Sequence, residues 1–101
     1  MFVSTDAGTW CYVLRRNRLS VGWRRSDAGT SPVLAGGLLY VYDPGGGLNV
    51  YRPTTGARVA RLPAGSGHWN SPIITDGRIA LPEGDANDHR ESGVLDIYRL
   101  P

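Results

Sequence analysis

A chain of 101 residues has room for one hydrophobic core, and its 14 glycines and 7 prolines, with no run of strong helix formers, exclude a helical fold and favour short strands and tight turns. A formal net charge of +2 argues against a general polyanion binder, and no nucleic-acid partner is expected. One cysteine, Cys11, excludes an internal disulfide, and no stretch approaches the ~20 apolar residues of a membrane span.

The fold class read from the sequence is all-β. Residues 2–6, FVSTD, alternate towards a turn at Ala7-Gly8. Residues 9–16, TWCYVLRR, are rich in β-branched and aromatic side chains, with Cys11 as a small buried apolar member. After a turn at Arg16-Asn17 comes RLSVGWRRS, residues 18–26, in which alternation puts Leu19, Val21 and Trp23 on one face. Four strands are then predicted at 31–35, 38–43, 48–53 and 57–62. Their turns are Gly36-Gly37, Pro44 to Gly47, and Thr54 to Gly56, each with a residue suited to positive φ. Residues 64–70, AGSGHWN, form a link. Three more strands follow at 71–75, 78–82 and 94–100, the last two separated by the polar loop EGDANDHRESG.

Within this order the chain repeats itself. SPVLAGGLLYV from Ser31 and SPIITDGRIAL from Ser71 start 40 residues apart, with Ser-Pro and a turn glycine in the same places, and LNVYR at 48–52 returns as LDIYR at 95–99. Strand-rich repeats of this period mark a propeller blade or another repeat array. We therefore expect consecutive four-stranded antiparallel β-propeller blades in an incomplete ring: an incomplete blade at 1–26, a complete one at 31–62 and an incomplete one at 71–101. The charges are unevenly placed. Met1 to Thr30 carry five arginines against two acids, a local +3, whereas Asp76 to Asp96 carry six acids against two arginines, a local −4. Opposite charge at the two ends favours head-to-tail contact with another copy or with the remaining blades.

The segment SPVLAGGLLYVYDPGGGLNVYRPTTGARVARL resembles the repeat of quinoprotein-like, or PQQ-like, β-propellers through Val50 and Tyr51, the Thr55-Gly56 turn, and the strand Arg58 to Leu62. Two positions depart from that repeat. Arg52 stands where the family has an aspartate, and no closing tryptophan lies around Leu62, although Trp23 holds a similar position in the first unit. The resemblance implies an extracellular or periplasmic setting for a complete parent, although residues 1–10 carry no signal-peptide pattern and leave the location of this chain unknown. It also implies that a complete parent could hold PQQ and calcium. No cofactor is expected for this chain, because no full ligand set is visible in it.

Two stretches are candidate sites. His68, Trp69 and Asn70, in a link between repeats, combine an aromatic ring with polar donors, which suits a sugar or a flat ligand at a channel end. Asp85, Asn87 and Asp88 place three oxygen donors within four residues, as a calcium loop would, although the spacing is not that of an EF-hand. His89 has no nucleophile or base to work with, and no catalytic residue is assigned. The function expected is a non-catalytic segment serving as a ligand- or protein-binding scaffold, completed by further blades or further copies of itself. A fragment of a PQQ-dependent oxidoreductase and a self-assembling lectin with a glycan ligand are the alternatives.

Overall fold

The computed structural model of the chain describes residues 1–67, 70–83 and 93–99. Among the described residues it is all-β and antiparallel throughout, with ten strands in three sheets that do not close into a ring. The first sheet contains β1 (Phe2–Thr5), β2 (Gly8–Arg15) and β3 (Arg18–Arg25). The middle sheet contains β4 (Val33–Ala35), β5 (Leu38–Tyr42), β6 (Leu48–Tyr51) and β7 (Arg58–Leu62). The third contains β8 (Ile73–Thr75), β9 (Arg78–Glu83) and β10 (Val94–Arg99). In each sheet the strands lie in chain order, so every connection within a sheet joins neighbours.

Turn chemistry accounts for the hairpins. Gly36-Gly37 and Asp76-Gly77 each place two successive residues at positive φ, as a two-residue hairpin with the right-handed strand twist demands. Arg16-Asn17 does the same at φ 49° and 63°, without help from glycine. A side chain with a Cβ is disfavoured there, so Arg16 is held by the strands on either side.

The three sheets pack face to face, and the core forms in two layers between them. Between the first and middle sheets lie Cys11, Trp23, Leu39, Val41 and Tyr51, flanked by Phe2 and Val13. Between the middle and third sheets lie Tyr40, Tyr42, Leu48, Val50, Ile79 and Leu81, flanked by Ile74 and Tyr98. The strand period of two explains the division. Along β5, Leu39 and Val41 point to one neighbour while Tyr40 and Tyr42 point to the other, so the middle sheet is buried on both faces.

The predicted alternation of β3 is broken. Cys11 pairs with Trp23 but Tyr12 pairs with Val21, so Gly22 is the extra residue of a β-bulge. Trp23 is thereby turned inward, at 9% exposure, while Val21 and Leu19 on the other side of the bulge face outward at 55% and 58%. A Cβ on residue 22 would come within 2.9 Å of the Val13 Cγ2 atom, so glycine suits both the bulge and the crowded layer beneath it. A second bulge at Val59 shifts the pairing of β6 and β7 between Val50 and Tyr51.

Candidate binding surfaces

The contact that joins the first sheet to the middle one is built around a single indole. Trp23 lies on the turn after β6, so close that a Cβ on Gly56 would come 2.6 Å from its Cδ2 atom; Gly56 itself has φ +75°. Its Nε1–H donates to the Pro53 carbonyl at 2.8 Å, and its rings lie against Phe2 and Tyr51 at centroid distances of 5.9 and 6.1 Å. Beside it the Tyr51 hydroxyl donates to Asp27 Oδ2 at 3.1 Å, and Arg25 stands over the Tyr51 ring. Burial, then the charge of Asp27, pushes the Tyr51 hydroxyl up to about 12. It therefore stays a donor at neutral pH.

Among the described residues no tryptophan occupies the matching place between the middle and third sheets. Leu62, on the last strand of the middle sheet, is smaller, and among the described residues no strand lies beyond β10. A cleft of about 530 Å³ opens there. Its walls are apolar, from Leu38, Tyr40, Val50, Ala60 and Leu62 on one side and Ile79 on the other, and Arg52 and Arg99 add guanidinium groups.

At one end of the same layer the two carboxyl groups of Glu83 and Asp96 meet. Glu83 accepts a hydrogen bond from the Gly65 amide, and the hydroxyls of Tyr42 and Tyr98 donate to the carbonyls of Gly65 and Pro63. The Glu83 carboxyl is held above its ordinary value, chiefly by the hydrogen bond it shares with Asp96, while the Gly65 amide pulls the other way. A folded state that binds this proton more tightly than the unfolded chain gains stability below the ordinary glutamate range and loses it as pH rises through the raised value. Glu83→Gln is therefore expected to flatten the pH dependence of the thermal midpoint across that window. Parallel melting curves of the two proteins check this, and identical pH profiles would contradict it.

Of the residues singled out in the sequence, Asn70 is placed by its backbone. Its carbonyl accepts a hydrogen bond from Thr30 Oγ1 at 2.6 Å, and Thr30, fully buried, also donates its amide to the Tyr42 carbonyl. The two links between sheets are thus tied to each other. His68 and Trp69 lie outside the described residues, as do Asp85, Asn87 and Asp88. Among the described residues no three His, Cys, Asp or Glu side chains gather as a metal site would require, and no helix is long and apolar enough to cross a membrane.

Sequence reasoning missed the cleft and the Glu83–Asp96 pair. The repeat contained a signal for the second, because Asp96 takes the place of Asn49 and Glu83 that of Asp43. No known family, curated protein or solved structure matches the chain.

Proposed function

We propose that the chain is an arc of a β-propeller, each sheet a blade, and that it serves as a non-catalytic binding scaffold completed by further sheets docked on its two ends. One comparison carries this reading. Leu48 and Val50 of the middle sheet are 0% and 4% exposed, whereas their repeat equivalents Leu95 and Ile97 are 62% and 57% exposed. Equivalent apolar side chains on the same face are covered in one sheet and bare in the next. Ile73 extends the bare face of the third sheet, and Leu14, Leu19 and Val21 form a similar one on the first. Contiguous apolar surface of this kind belongs to docking faces more often than to free ones.

The docking of Trp23 on Gly56 supports the blade assignment, since it repeats the role that a closing tryptophan has in the propellers this sequence resembles. Arg15, Arg16 and Arg18 at one end of the first sheet also complement the acidic end of the chain.

Light scattering across a concentration series tests the scaffold. We expect reversible association that is lost on Leu95→Lys or Ile97→Lys, substitutions at exposed positions that leave the core intact. A folded chain that stays monomeric at every concentration and captures no further sheet would overturn the reading.

A further inference from the structure

The middle sheet shows what the third one lacks. On β7, Arg61 donates to Asn49 Oδ1 at 2.9 Å, stands 3.5 Å from Asp43 Oδ2 and donates to the Gly46 carbonyl. One guanidinium thus holds together an amide on β6, a carboxylate after β5 and the intervening hairpin. The repeat places Asp96 where Asn49 is and Glu83 where Asp43 is. The third sheet has both acceptors, now two acids, and no arginine between them. Asp96 Oδ2 is buried with no hydrogen-bond partner among the described residues. A buried carboxylate oxygen in that condition is costly, and a cation with several N–H groups is what would satisfy it.

The backbone points the same way. β10 is the end strand of its sheet, so among the described residues its outer edge has no partner. Such an edge is a template for another strand. The apolar cleft runs beside it, along the wall made by Val50, Ala60 and Leu62.

We propose that the outer edge of β10 takes an extended peptide strand with apolar side chains and an arginine that bridges Glu83 and Asp96, the strand covering the cleft. The recognition is strand addition, in which backbone hydrogen bonds give affinity and the buried ion pair sets the register. The chemistry of the occupant is that of β7 itself, whose sequence around Arg61 is ARVARL. Strand addition at β10 needs no further sheets: a chain that stays monomeric in light scattering still binds the strand, so the two readings fail separately.

The probe is a labelled synthetic peptide with the sequence of residues 56–62, titrated with the intact chain and followed by fluorescence anisotropy. Saturable binding is expected, at least about tenfold weaker when the arginine equivalent to Arg61 is replaced by methionine, and weakened similarly by the double substitution Glu83→Gln and Asp96→Asn. Circular dichroism establishes that the double variant is folded. Binding indifferent to the peptide arginine, or unchanged in the double variant, overturns the proposal, because the peptide would then sit elsewhere, as by displacing β7. A second measurement removes the concentration limit of a short peptide. The same sequence appended after Pro101 through a short turn has an effective concentration on the order of millimolar. The thermal midpoint of that chain should rise by several degrees over one with a scrambled extension, and the double variant should cancel the gain. No rise overturns the proposal.

Discussion

Trp23→Ala is expected to cost about 3–5 kcal/mol of folding stability, the range for removing a large buried aromatic side chain. For a domain whose total stability is on the order of 5–15 kcal/mol that is a large share, and the urea midpoint of the variant should fall accordingly. Three contributions are lost together: the rings against Phe2 and Tyr51, the contact with Gly56, and the hydrogen bond to the Pro53 carbonyl. Trp23→Phe separates them. It keeps much of the apolar contact and removes the hydrogen bond, leaving the Pro53 carbonyl to find water, for a further loss on the order of 1 kcal/mol from that bond alone. Urea denaturation followed by far-ultraviolet circular dichroism measures both. A cost below about 1 kcal/mol for the alanine variant would mean that the indole does not fasten the first sheet to the middle one.

Leu48→Ala and Leu95→Ala form the second experiment, the same substitution at two equivalent positions of the repeat. Leu48 is fully buried between the middle and third sheets, and its truncation should cost about 2–5 kcal/mol. Leu95 is mostly exposed, and the same change should alter monomer stability by no more than about 0.5 kcal/mol. If the bare face of the third sheet docks a further sheet, the order changes with concentration: Leu95→Ala then weakens association while leaving the dilute protein as stable as before. Equal costs in dilute solution would contradict the exposure difference between the two faces.

The strands were legible because the information that makes them is local. Period-two alternation, β-branched residues and hairpin turns of Gly-Gly and Asp-Gly predict strands at 38–43 and 78–82, and the structure has β5 at Leu38–Tyr42 and β9 at Arg78–Glu83. The repeat also predicts three strands, then four, then three, and the described residues follow that count. The bulge at Gly22 was not read, although an isolated glycine inside a strand pattern is its usual sign. Counting every second residue through it put Leu19 and Val21 on the buried face with Trp23, whereas the bulge leaves them exposed on the other. The candidate site was less legible. Of the link singled out for its polar and aromatic residues only Asn70 lies among the described residues, and the Glu83–Asp96 pair depends on a contact across strands whose partners are 13 residues apart in the chain.

The sequence by itself determined the strands, the hairpins, the 40-residue repeat and the opposed charge of the two ends, because each depends on neighbours along the chain or on composition. Tertiary structure alone decided which faces are covered. Leu48 and Leu95 are the same residue in the same motif, and only the presence of a sheet beside one of them makes it core. It also decided that Trp23 rests on Gly56, 33 residues on, and that Asp96 lacks the arginine that Asn49 has. Side-chain burial and charge pairing are set by what lies across the gap between sheets, and that distance is not written in the spacing of residues along a strand.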